Sequence, residues 1–310
     1  MIFSPCSSGN IDPVWFDLFK EIKTNIPILI VTRLENFKFN ENLYKLGDYV
    51  LASGEEYGWN ANLEETGTHI WGKNTEKFHQ FDNDEWRKFD EFVKAKPPLL
   101  TMKRELLEAD ASETVIPLNY PCWHPIPEPQ TKEQFNNRLF QCNFIWGFSH
   151  ERRRKLHGEI WQRCSEFDYI VCDNIENMGL FLDHEPNPKK WMTVNTPWYA
   201  RQIIETIIGI NGLSKISISL PGAGRHCFRH SESPMNSVMY MLEDGIKYSY
   251  PWVNGENCIK SKEWEEIQTI VQSLNNPDLY EIYRNGVDNC RNYWLPNYRT
   301  NYIEKIINSL

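Results

Sequence analysis

The sequence predicts an α/β protein of two domains, each a parallel sheet flanked by helices, and three observations carry this expectation. The chain has 310 residues, long for one hydrophobic core and comfortable for two, since domains mostly run about 100 to 150 residues. Short apolar, β-branched runs alternate with helical periodicity along the chain, and such alternation builds parallel sheets covered by helices. A proline-rich stretch separates the halves: from Ile116 the chain reads IPLNYPCWHPIPEPQ, whose five prolines neither helix nor central strand accommodates. The expected division is a first domain over 1–130, a second over 131–295 and a closing helix over 296–310.

In the first half, an apolar run at 1–3 precedes a turn-rich loop and a helix over 13–23, with Asp12 as N-cap and Pro13 as first helical residue. Strands are expected at 27–32 and 49–52, helices at 84–95 and 103–109, and a strand at 114–117. After the linker come strands at 142–146, 168–172, 215–220 and 246–250, separated by helices over 150–166, 197–210 and 230–243. Helical patterns over 262–274, 278–293 and 298–310 close the chain. In sheets of this kind ligands bind beyond the carboxyl ends of the strands, so functional residues are expected just after Trp146, Cys172, Leu220 and Tyr250.

Composition narrows the function classes. The net charge of −9, relieved only by the basic stretch from Arg152 to Lys155, disfavours a broad nucleic-acid or anionic-membrane surface and leaves room for a local anion site. The eight cysteines are scattered without a CxxC pair, which fits reduced thiols better than a disulfide scaffold or a zinc site. The first residues lack the basic and apolar regions of a signal peptide, and no window approaches the roughly 20 apolar residues of a membrane span. A cytoplasmic location is therefore expected, the host cytoplasm for a viral protein. Aromatic residues are abundant, with 12 Trp, 14 Tyr and 16 Phe; they suit either core filling or a cleft that stacks ring-shaped ligands.

The densest chemistry lies in the segment LPGAGRHCFRHSE, Leu220 to Glu232, between an expected strand and an expected helix. Gly222 and Gly224 let the backbone approach an anion, a following helix offers unpaired N–H groups, and Arg225 and Arg229 add positive charge. A carboxylate in the first helical turn, Glu232, is suited to accept hydrogen bonds from both hydroxyls of a ribose. An ordinary strand-to-helix turn with surface arginines has the same letters.

Strand, glycine-rich turn, arginine and first-turn glutamate together resemble the donor half of GT-B glycosyltransferases, in particular the exostosin-like and related viral or bacterial branches. The likeness runs from about Arg138 to the carboxyl terminus. It implies two Rossmann-like domains facing across a cleft, with the first domain on the acceptor side and the second binding the nucleotide sugar. Gly222, Gly224 and Arg225 would then meet the diphosphate, with Arg229 adding charge, and Glu232 would meet the ribose. In FIWGFSHERRRKL, Gly147, Ser149 and Arg153 are placed by the same resemblance across the diphosphate. In YPWVNGENCI, Trp252 and Asn254 would approach the sugar, although Asn254 and Gly255 also read as a hairpin-like turn. The closing helix resembles one that returns to the first domain, or else caps the second.

The acceptor side carries less signal. Asp12 and, after the strand ending at Ala52, Glu55 or Glu56 are the carboxylates best placed for a general base, Asp12 ahead of Glu55. Two metal-like patterns are discounted. Asp82, Asn83 and Asp84 spell DxD just before a helix, where Asp is the ordinary capping choice. His226 and His230 have i, i+4 spacing without a third ligand and read as surface or phosphate-facing histidines. The expected function is metal-independent transfer of a sugar from a nucleotide sugar, a co-substrate and not a cofactor, to a hydroxyl of a glycan, glycoprotein or other acceptor. The alternatives are a nucleotide-sugar epimerase of the same fold, a binding module without turnover and, less favoured by the acidic balance, a glycosyltransferase acting on DNA bases.

Overall fold

A computed structural model describes residues 1–4, 13–31, 38–53, 84–104, 106–122, 125–145, 169–173, 191–193, 208–209, 211–219, 229–242, 245–261 and 267–310. Within them the strands form two separate parallel sheets, one on each side of the proline-rich linker.

The first sheet has five strands, β1 (Ile2–Phe3), β2 (Ile28–Val31), β3 (Val50–Ser53), β4 (Leu100–Lys103) and β5 (Val115–Pro117), neighbours in chain order. Its strands read as continuous apolar runs because both faces are covered. Ile28, Ile30, Val50, Ala52, Leu100 and Met102 face helix α1 (Pro13–Phe19), packing on Trp15, Leu18 and Phe19. The alternate residues Leu29, Val31 and Leu51, with Tyr49, pack on Phe89, Phe92 and Val93 of helix α2 (Asp84–Ala95).

The second sheet contains β6 (Phe140–Ile145), β7 (Tyr169–Asp173), β8 (Trp191–Thr193), β9 (Ser214–Ser219), β10 (Val238–Leu242) and β11 (Ile259–Ser261), in the spatial order β8-β7-β6-β9-β10-β11. This is the doubly wound 3-2-1-4-5-6 order, with its reversal between β6 and β9. Before it stands the short helix α3 (Lys132–Asn136), fixed by a capping box in which Thr131 and Gln134 exchange bonds. Between β9 and β10 lies α4 (Arg229–Glu232), and after β11 come α5 (Ile267–Leu274) and α6 (Leu279–Asn289), the latter continuing as a π-helical turn to Trp294. Ile216, Ile218, Val238 and Tyr240 pack on Phe135, Ile270, Ile282, Tyr283 and Val287 from α3, α5 and α6.

The last helix, α7 (Pro296–Ile307), leaves the second domain and docks on α1. Ile303 and Ile307 enter the first domain's core, and the Thr300 hydroxyl donates to the Leu18 carbonyl at 3.2 Å. Glu304 accepts from the backbone N–H of Lys23 at 2.8 Å.

Several expected elements are corrected. Residues 103–109 are not a helix: β4 ends at Lys103, and only Glu108–Asp110 forms a 3-10 turn. Lys103 and Arg104, expected at the start of that helix, are buried. The helix expected over 230–243 ends at Glu232, and Pro234 sits in a 3-10 turn before the fully buried strand VMYML. Residues 246–250 are not a strand; Ile246 makes a single bridge with Leu107, and β11 takes that place in the sheet. Strand β8 had no expected counterpart. Among the described residues no helix is long and apolar enough to cross a membrane.

Candidate functional site

Open doubly wound sheets bind ligands where the strand order reverses, because the crossovers on either side diverge there and leave a crevice at the carboxyl ends. In this molecule the reversal falls between β6 and β9, paired in register at Asn143 with Ser217. The chain leaves β6 after Ile145 and β9 after Ser219, at the same end of the sheet. Gly147, Ser149 and Arg153 follow the first of these strands, and Gly222, Gly224 and Arg225 the second. All six lie outside the described residues, as do His226, Asp12, Glu55 and Glu56. Arg229 opens α4, and its side chain is also outside them.

Glu232 is described, and it ends α4 half-buried. Its carbonyl accepts from the Asn211 side chain at 3.0 Å, and Asn211 Oδ1 accepts from Asn143 Nδ2 at 3.1 Å. Strand β6 is thus tied through Asn211 to the backbone of the glutamate. Next to this chain the Ser217 and Ser233 hydroxyls bond at 2.9 Å, and the Ser237 hydroxyl donates to the Ser233 carbonyl at 2.7 Å. Hydrogen bonds of this kind in a dry interior hold geometry more than they add stability. Because α4 has four residues, its macrodipole is a small part of any anion field, and the expected long helix does not supply one.

Sequence reading missed Asn143 and Ser219. Both are fully buried, and among the described residues neither Asn143 Oδ1 nor Ser219 Oγ has a hydrogen-bond partner. The signal for Asn143 was available: an amide flanked by Cys142 and Phe144 in the otherwise largely apolar strand FQCNFI is an anomaly.

Trp252 and Asn254 serve the domain's interior and its turn. Trp252 is 2% exposed and stacks on Trp294 with ring centroids 5.3 Å apart. Asn254 Oδ1 accepts from the Lys260 backbone at 2.8 Å, closing the turn in which Gly255 adopts a φ of 78°. These contacts match the turn reading of Asn254 and Gly255. His230 is fully buried and bonded, not a surface histidine. Among the described residues no cluster of His, Cys, Asp and Glu is able to hold a metal ion. Asp84, the described member of DxD, stands in the first turn of α2, exposed and paired with Arg87 at 3.2 Å.

The two sheets turn their carboxyl ends toward a common seam. Just beyond β4 and β10, Glu108 N–H donates to the Gly245 carbonyl at 2.9 Å, and Lys247 N–H to the Leu106 carbonyl at 2.7 Å. Ser249 N–H donates to Asn119 Oδ1 at 2.9 Å, and Cys122 N–H to the Trp294 carbonyl at 2.7 Å. At the first domain's side of this seam Arg104 is buried over the Tyr120 ring, 5.1 Å from its centroid, and Nη1 donates to the Tyr120 hydroxyl. Tyr120 in turn stacks on Trp15 at 4.9 Å.

Two doubly wound or parallel sheets joined by a linker, with their carboxyl ends across a seam and a last helix returning to the first domain, define the GT-B architecture. The solved structures that resemble the chain share it. A glycosyltransferase from Rickettsia africae ESF-5 matches with a TM-score of 0.56 at 14% identity, covering 99% of this chain and 97% of that one. HepE of Anabaena, solved in complex with UDP-glucose, matches with a TM-score of 0.52 at 9% identity over 100% and 99% of the two chains. TarM matches with a TM-score of 0.53 at 12% identity, and this chain spans 57% of its length. Its structural neighbours are GT-B glycosyltransferases, and at these identities the likeness is one of fold. No family model and no curated protein matches the sequence.

Proposed function

We propose that the chain is a glycosyltransferase that moves a sugar from a nucleotide sugar in the second domain to an acceptor hydroxyl at the first, without a divalent metal. The observation that carries this reading is the reversal between β6 and β9. The strands on either side lead directly into the two segments that hold Gly147, Ser149 and Arg153, and Gly222, Gly224 and Arg225. Glycines there give the diphosphate access to backbone N–H groups, and the arginines neutralise it as it departs. Glu232 accepts from the ribose hydroxyls, its backbone held by Asn211, and the buried Ser219 hydroxyl supports the same site from the end of β9.

The bond between the anomeric carbon and the diphosphate oxygen breaks as the acceptor oxygen bonds to that carbon. In an inverting reaction the acceptor proton passes to a carboxylate of the first domain, Asp12 ahead of Glu55. The similarity of fold to a protein solved with UDP-glucose makes that donor the first to test.

Calorimetric titration of UDP, GDP and their sugar conjugates checks the reading. Wild type is expected to bind one nucleotide family, Glu232→Ala to lose about tenfold or more in affinity, a hydrogen-bond pair's worth, and transfer to persist in a chelator. Absence of binding to every nucleotide would overturn it.

A further inference from the structure

Arg299, at the end of the first turn of α7, is fully buried, and among the described residues none of Nε, Nη1 and Nη2 has a hydrogen-bond acceptor. The guanidinium lies 5.8 Å from the Trp294 ring centroid and 5.6 Å from that of Tyr302. Among the described residues no carboxylate pairs with it; the groups acting on its charge are the phenols of Tyr302 and Tyr250. Burial lowers its pKa to about 10, which leaves it charged at neutral pH. Trp252 Nε1, on the ring stacked against Trp294, is also buried without a partner. The N-cap position of α7, Leu295, supplies no side-chain bond to the first turn.

Rings compensate a guanidinium only in part, through their negative faces, while its five in-plane donors demand oxygen. Burying a charge without a partner costs several kcal/mol, so a protein that keeps one there has a use for it. We propose that Arg299 anchors a binding site for a small oxyanion, a carboxylate or a phosphate, in the seam between the two domains. The planar fork of the guanidinium takes two oxygens of either group side by side. Between this site and the surface stand Tyr250 and Tyr302, both half-buried; Tyr250 stacks at 4.1 Å on Tyr293, which is exposed. Since α7 docks on α1 while Tyr250 and Trp294 belong to the second domain, the anion would hold the two domains in their mutual arrangement.

The test is thermal unfolding of the full chain in sodium formate or sodium phosphate, with sodium chloride holding ionic strength constant. Wild type is expected to unfold about 2–4 °C higher once the anion stands roughly tenfold above its dissociation constant, and the anion giving the larger rise names the class. Arg299→Met, which removes the orphaned charge and keeps the volume, is expected to fold and to lose the rise. Arg225→Ala, in the donor loop, is expected to keep it, which separates this site from the proposed nucleotide site. Should Arg299→Met fail to fold, Arg299→Lys is expected to need about tenfold more anion for the same rise, because the fork is gone. A wild type indifferent to both anions, a rise that survives Arg299→Met or is unchanged in Arg299→Lys, or a rise lost in Arg225→Ala would overturn the proposal.

Discussion

At the scale of single residues, Arg138 shows how the candidate site is held from below. It precedes β6, and its Nη1 donates to the carbonyls of Ser214 at 2.6 Å, Asn236 at 3.0 Å and Asn211 at 3.3 Å. Its plane lies 4.6 Å from the centroids of both Phe135 and Tyr283, and burial lowers its pKa to about 10. Arg138→Ala strips the donor from three carbonyls, two beside the start of β9 and one before β10. The expected cost is about 3–5 kcal/mol in urea unfolding; a loss below about 1 kcal/mol would show that water replaces the side chain. Tyr49 gives a pH dependence. Its hydroxyl donates to the Lys96 carbonyl at 2.8 Å, and burial raises its pKa. A raised acid is held protonated in the folded state, so its contribution is complete below the unfolded tyrosine pKa of about 10 and is lost as pH rises above it. The unfolding midpoint should therefore fall more steeply above pH 10 in wild type than in Tyr49→Phe. Of the candidate site, the glycine and arginine segments were read from letters that carry anion chemistry directly, and they lie outside the described residues. Arg104 escaped notice, since what marks it is burial, and burial of a polar residue is a tertiary fact, whereas Asn143 left a local trace as an amide within an apolar strand.

At the scale of elements, helix α6 is positioned by the absence of a side chain at Gly286. A Cβ there would lie 2.8 Å from the Asn257 carbonyl oxygen, a backbone atom with little freedom to retreat. Gly286→Ala is expected to push α6 off the turn before β11 and cost about 1–3 kcal/mol, read as a lower unfolding midpoint; an unchanged midpoint would contradict the close approach. Helix α2 was legible over its whole length, because DEWRKFDEFVKA combines acidic residues at its start with apolar residues at helical spacing. Strands β2, β3 and β9 were legible as short β-branched runs. The failures share a cause: buried strands carry no alternation, so VMYML after a Ser-Pro turn passed for the continuation of a helix, and the strand LTMK went unassigned, its last residue, Lys103, being taken as the start of a helix. Strand β8 has three residues, too few for any periodicity.

At the scale of the whole molecule, the account rests on one geometric relation: two segments far apart in sequence leave adjacent strands at a topological reversal. The two-sheet architecture was legible because linker and alternation are long-range features of the chain. The facing of the sheets was legible only through family resemblance, since no local pattern encodes which ends meet. The backbone bonds joining the segments after β4 and β10 set that facing. Amide hydrogen exchange with and without UDP-glucose tests the central claim most directly. The account predicts that the donor slows exchange in residues 146–153 and 220–232 together, with residues 267–289 on the other face of the sheet unchanged. Binding that protects neither segment, or only one of them, would contradict it.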